Sequence, residues 1–114
     1  MKQNIIIIFF LFLSINLYAY NTNNVKCDIT KLNDKNNKDI IICKYIQKRV
    51  NFDKTIFIEW INPIDRVERA RKLKIPAGHG SVYDYRYLAG RAKGIWKFVV
   101  TDNNQTYQTT FEVK

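Results

Sequence analysis

The sequence predicts an all-β domain: an antiparallel sandwich of about seven strands that follows a secretory signal. Three observations carry this reading. β-Branched and aromatic residues dominate from Val25 onward, turn-forming residues interrupt them about every 8–12 positions, and apolar residues in the later segments recur with period two. Seven such segments within residues 20–114 match the size of a two-sheet sandwich.

The leader comes first. Lys2 supplies a positive charge and Ile5 to Leu13 an unbroken apolar run, which decays through Ser14 and Asn16 to Ala19. That is the three-part pattern of a secretory signal. A transmembrane anchor needs roughly 18 or more apolar residues, and polar residues interrupt before that length. The expectation is a signal peptide over 1–19, no stable membrane span after cleavage, and one domain over 20–114. The expected location is periplasmic or secreted. The whole chain has 114 residues, which excludes a dinucleotide-binding sheet or an eightfold α/β barrel, since these need roughly 150–250 residues. Its 46% hydrophobic content and its 4 Gly and 2 Pro exclude disordered and collagen-like classes.

The expected strands are Val25–Thr30, Asp39–Ile46, Lys54–Ile61, Arg66–Ile75, Ser81–Leu88, Ile95–Thr101 and Gln105–Val113. Ile56, Ile58 and Trp60 form one inward face, and Trp96, Phe98 and Val100 another, with Lys97 and Thr101 on the opposite side. Tyr107, Thr109, Phe111 and Val113 alternate with Gln108, Thr110 and Glu112, and Asp102 to Gln105 form a tight hairpin turn. One segment has two readings. Asn62-Pro63-Ile64-Asp65 carries helix-start chemistry, with Asn as N-cap and Pro at the first helical position. Val67, Leu73 and Ile75 also fit period two, and Pro76-Ala77-Gly78 supplies a turn, so a strand is the favoured reading of 62–74 and a short helix the alternative.

Cys27 and Cys43 are the only thiols of the chain. An oxidising compartment favours a disulfide between them, with a free buried pair as the alternative. The polar stretch from Lys31 to Lys38 lets the flanking strands meet as a hairpin. Closing a loop of this size contributes about 3 kcal/mol through chain entropy. A redox pair would need C-x-x-C spacing, which is not present.

Trp60-Ile61-Asn62-Pro63, then Gly94-Ile95-Trp96-Lys97-Phe98-Val99-Val100, then Phe111-Glu112-Val113 carry a resemblance. Over about residues 54–114 the chain resembles the second half of small immunoglobulin-like domains of exported bacterial proteins. The resemblance implies an immunoglobulin-like sandwich and is a packing signature without catalytic content.

The functional candidates begin with charge. The chain holds 19 Lys and Arg against 10 Asp and Glu, a formal net charge of +9. Many lysines accompany Asn and Ile and belong to solvated faces, but five of the six arginines fall close together: Arg66, Arg69, Arg71, Arg86 and Arg91, joined by Lys72, Lys74 and Lys93. On neighbouring strands these would form a patch for phosphate or carboxylate. Outside the cytoplasm the expected partner is an envelope protein, an anionic glycan or a lipid head group, and not nucleic acid. Tyr83, Tyr85 and Tyr87 share one strand face, with Asp84 and Arg86 on the other, and the expectation is that the rings are core.

His79 is the only histidine, and no cluster supports a metal or cofactor. Ser81 lacks a G-x-S-x-G context, so no catalytic residue is assigned. Asn104-Gln105-Thr106 makes Asn104 a candidate N-glycosylation acceptor, with Asp102 as an acid two positions before it. The function expected is a non-enzymatic binding module with an arginine-rich contact surface. The alternative is a small inhibitor or accessory subunit of an envelope enzyme that presents the loop Pro76 to Gly80.

Overall fold

The computed structural model describes residues 23–32, 35 and 37–114. The leader expected over 1–19 lies outside them. Seven strands follow in chain order: β1 Asn24–Lys31, β2 Asp39–Ile46, β3 Lys54–Ile61, β4 Val67–Ile75, β5 Ser81–Tyr87, β6 Gly94–Asp102 and β7 Gln105–Val113. They form two antiparallel sheets, one of order β1-β2-β5 and one of order β4-β3-β6-β7, with no helix among the described residues. Three of the seven expected strands have the predicted bounds, and the others differ by one or two residues.

The period-two pattern sets which side chains meet. Ile41, Cys43 and Tyr45 from β2 join Ile56, Ile58 and Trp60 from β3 and Trp96, Phe98 and Val100 from β6 in one buried cluster. Both sheets therefore contribute inner faces to a shared core, a sandwich-like arrangement. Phe111 stacks on Trp96 at 15° and meets Trp60 edge-on at 77°, with centroids 6.1 and 5.9 Å away. These offset and edge geometries suit the ring quadrupole. The W-x-x-P and G-x-W segments meet at Gly94, whose φ is 130°. A Cβ there would lie 2.9 Å from Pro63 Cβ, so backbone conformation and close approach both require glycine.

Segment 62–74 is a turn followed by a strand. Asn62 Oδ1 accepts from the backbone N–H groups of Ile64 at 3.1 Å and Arg66 at 3.0 Å. Asp65 takes a left-handed φ of 65°. An Asx side chain makes the same kind of contact at a helix N-cap. That shared chemistry is why the sequence allowed both readings. The hairpin at Asp102 to Gln105 forms as expected, with Asp102 opposite Gln105 and Asn103 at φ 58°.

Cys27 and Cys43 form a disulfide. They stand directly opposite one another in the β1–β2 ladder, so the bond staples one sheet and does not cross between the two. A second tether does cross. The Tyr45 hydroxyl on β2 donates to Asp102 Oδ2 on β6 at 2.6 Å, and Lys54 Nζ lies 2.9 Å from Asp102 Oδ1. Asn23 Nδ2 donates to the same hydroxyl at 2.6 Å. Burial, and then the bond to Asp102, push the Tyr45 phenol well above its ordinary range.

This makes stability fall at high pH. The unfolded phenol ionises near pH 10, whereas the folded one keeps its proton. The folded state then binds more protons than the unfolded one, and stability is lost as pH rises through and beyond that value. Urea unfolding as a function of pH is expected to show a fall above about pH 10 that is shallower in Tyr45→Phe; an identical fall in both would contradict this linkage.

Candidate functional site

β4 and β5 are edge strands of opposite sheets and lie side by side without pairing. Between them the structure gathers Arg69 and Arg71 from β4, Arg86 from β5, and Arg91 from the following turn. With Asp84, Tyr85 and Tyr87 these line a cleft of about 460 Å³. Four of the eight basic residues expected to form a patch therefore share one site. The other four do not line it, and Lys93 is exposed in the turn before β6. Arg66 is exposed at the turn before β4, and Lys72 and Lys74 occupy the outer face of that strand, where Lys74 Nζ is 3.7 Å from Asp53 Oδ2. The reason is parity: Arg69 and Arg71 share the inner face with Leu73 and Ile75, so 72 and 74 point the other way.

Asp84 organises the cleft. Its carboxylate, only 6% exposed, accepts from Trp60 Nε1 at 2.9 Å and from Arg71 Nη1 at 2.8 Å, and Arg69 Nε lies 3.5 Å away. Trp60 is fully buried, and its indole N–H needs an acceptor inside the fold. Asp84 supplies one and anchors two guanidinium groups beside it.

The second carboxylate, Glu68, arrives through a backbone irregularity. Trp60 opposes Arg69 while Ile61 opposes Val67, so Glu68 is an extra residue on β4. A bulge of this kind re-aims side chains. Glu68 Oε1 lies 3.6 Å from Arg86 Nη1 and 3.5 Å from Arg91 Nη1, beyond hydrogen-bond distance. Its other oxygen accepts from Asn62 Nδ2 at 2.9 Å.

Four guanidinium groups thus face two carboxylates, leaving a surplus of two positive charges in the cleft. Arg86 Nη1 and Arg91 Nε are buried atoms without a hydrogen-bond partner among the described residues. Burial, followed by the proximity of Arg91 and Arg69, lowers the Arg86 pKa from its ordinary value. A desolvated guanidinium among like charges is a site short of negative charge. An oxyanion entering the cleft would supply it, with Arg86 and Arg91 each having an unused donor to offer.

The tyrosine row faces the other way from expectation. Asp84 and Arg86 point inward, and Tyr83, Tyr85 and Tyr87 lie on the outer face of the β1-β2-β5 sheet, with Tyr83 56% and Tyr87 44% exposed and Tyr85 and Tyr87 also bordering the cleft along the strand edge. The alternation was legible, but the inward side was chosen by hydrophobicity. What decides it is Trp60 and the β4 arginines, which give Asp84 partners inside. Ile40, Ile42 and Lys44 of β2 stand opposite Tyr87, Tyr85 and Tyr83 in register on the same outer face.

The remaining candidates are dispersed. His79 lies in the Pro76–Gly80 loop, which is pinned to residues 47–50 by backbone bonds from Gln47 N to Gly80 O at 2.8 Å, Val50 N to His79 O at 3.0 Å and Gly78 N to Val50 O at 2.7 Å. Asn104 is exposed at the β6–β7 turn, but Asp102 is only 5% exposed and is committed to Tyr45 and Lys54, so it does not stand beside Asn104 as a free surface acid. Among the described residues no group of three or more His, Cys, Asp or Glu is placed to hold a metal ion.

Asp84 and Glu68 were not singled out from the sequence. An acid between two tyrosines could have been matched to Trp60, whose buried N–H needs an acceptor. Glu68 had no such signal, because its position depends on the bulge.

No family model matches the chain. No curated protein matches it either. Among solved structures the chain is similar to β-glucosidase from Kluyveromyces marxianus, both as the selenomethionine-labelled protein and in complex with glucose. Each has a TM-score of 0.41 and 14% identity, over 83% of this chain. The chain matches only 15% and 14% of the length of those two structures.

Proposed function

We propose that this chain is an exported, immunoglobulin-like binding module that acts without catalysis, and that the β4–β5 cleft is its contact site for an anionic group. The observation that carries the reading is the excess of guanidinium over carboxylate in a partly desolvated cleft, with Arg86 Nη1 and Arg91 Nε left without a hydrogen-bond partner among the described residues. Exposed lysines scattered on a solvated face would not produce that arrangement. The partition of strands 1, 2 and 5 from strands 3, 4, 6 and 7 supports the immunoglobulin-like assignment, although β4 joins β3 where the constant-type domain keeps its fourth strand with the first sheet. The Cys27–Cys43 disulfide supports an oxidising, periplasmic or secreted location. The anion would belong to an envelope protein, an acidic glycan or a lipid head group.

Calorimetric titration with phosphate and with small carboxylates tests the site. Saturable binding is expected to the native protein, weakened at least about tenfold in Arg91→Gln, which removes one of the groups with an unused donor. Arg91 is preferable to Arg69 or Arg71 as a test, because the latter two hold Asp84 and their loss would mix binding with folding. A folded native protein that gives no saturable heat with any of these anions would contradict the proposal. The compartment is tested by intact mass of the protein from its native host, expected to begin at Tyr20 with both cysteines oxidised.

A second reading, a small inhibitor or accessory subunit, has one observation in its favour. The Pro76–Gly80 loop is exposed over Pro76 to His79 yet held by backbone bonds, the combination that presents a loop at low entropic cost. Loss of enzyme inhibition on altering His79, with the arginine cleft intact, would favour it.

A further inference from the structure

We propose that the free edge of β5 accepts an extended acidic segment of a partner protein as a fourth strand, with alternate carboxylates of that segment entering the arginine cleft. The proposal rests on the anion-binding reading above and names the partner of that site.

Among the described residues β5 pairs only with β2 and is an edge of the β1-β2-β5 sheet, so one side of its backbone is available for a ladder. The other edges are blunted more heavily than β5: β4 carries a bulge together with Lys72 and Lys74, β1 carries Lys26 and Lys31, and β7 lies against β1 more extensively than β5 lies against β4. Between Ser81 and Tyr87 there is no lysine, no proline and no register shift. Its protection is inward charge, Asp84 and Arg86, and the neighbouring β4, whose Arg69 and Arg71 reach Asp84, and together these form the anion cleft.

Strand period fixes what an added segment must look like. Its side chains would alternate at about 6.6–6.8 Å per pair of residues, one set toward the cleft side of β5 and the other toward the tyrosine side. The cleft side has a surplus of two positive charges and selects carboxylates. The outer side offers Tyr83, Tyr85 and Tyr87, with Lys38 Nζ 5.4 Å from the Tyr87 ring centroid. It selects apolar or aromatic side chains, since tyrosine gives large contact area at low entropic cost.

The same row argues against a glycan. The Tyr85 and Tyr87 rings are 86° apart, so they offer no shared plane on which consecutive sugar rings could stack. Backbone pairing would supply affinity, and the alternating pockets specificity, as in other strand-addition complexes.

The test uses the whole mature chain and four probes: a peptide alternating glutamate with leucine, the same peptide N-methylated at alternate backbone amides, a sulfated oligosaccharide, and inorganic phosphate. The first peptide is expected to bind at least about tenfold more tightly than the methylated one and to slow hydrogen exchange of amides between Val82 and Tyr87. Arg91→Gln is expected to weaken it. Equal binding of both peptides, with phosphate still bound, would overturn strand addition and leave the anion site standing. Tighter binding of the oligosaccharide than of the peptide would overturn the choice of partner. Failure of phosphate and of all other probes would remove the anion reading as well.

Discussion

Trp60→Ala is expected to destabilise the domain by about 3–5 kcal/mol, a large share of the stability of a small domain. Trp60 is fully buried on β3, meets Phe98 at a centroid distance of 5.2 Å and Phe111 at 5.9 Å, and donates to Asp84. The substitution empties a cavity between the two sheets and removes a donor from a buried carboxylate at once. Urea denaturation with circular dichroism reads the loss. Trp60→Phe keeps most of the ring volume and removes only the N–H donor, so its expected cost is about 1–2 kcal/mol. Equal costs for the two variants would show that the aromatic packing between the sheets contributes little.

Asp84→Ala is expected to cost about 3 kcal/mol. The indole N–H of Trp60 would lose its acceptor in a place that water does not reach. Arg69 and Arg71 would lose their anchoring carboxylate, and the cleft would then hold four guanidinium groups against Glu68 alone. The arginine part of this cost is reduced because the Arg69 and Arg71 side chains are 33% and 43% exposed and can rehydrate. Asp84→Asn retains an acceptor for the indole and is expected to recover part of the loss. Added phosphate is expected to stabilise Asp84→Ala more than the native protein, since the variant cleft has one anion fewer. A phosphate effect of the same size on both proteins would contradict that electrostatic account.

Much of the fold was legible because apolar spacing does the folding. The faces Ile56-Ile58-Trp60 and Trp96-Phe98-Val100 were readable from period two, and they form the centre of the core. The pairing of Cys27 with Cys43 followed from there being only two thiols, and it places them opposite one another on adjacent strands.

The site was legible in part. Clustering of arginines pointed to Arg69, Arg71, Arg86 and Arg91, but linear proximity also drew in Arg66 and Lys93, which sit in turns, and Lys72 and Lys74, which strand parity sends to the outer face. The inward side of β5 was misread because polarity assigns Tyr to the core and Asp to water, whereas a buried indole and two arginines reversed that preference. Asp102 was read as part of a surface acceptor motif. It is a buried partner of Tyr45 and Lys54, a contact between residues distant in sequence that no local pattern encodes.

The most direct test of the account is a crystal of the mature domain soaked in selenate, with anomalous differences locating the anion. The account predicts a selenium peak in the β4–β5 cleft, within hydrogen-bond distance of Arg86 Nη1 and Arg91 Nε. A cleft without anion, in which Glu68 has closed onto both arginines, would contradict it.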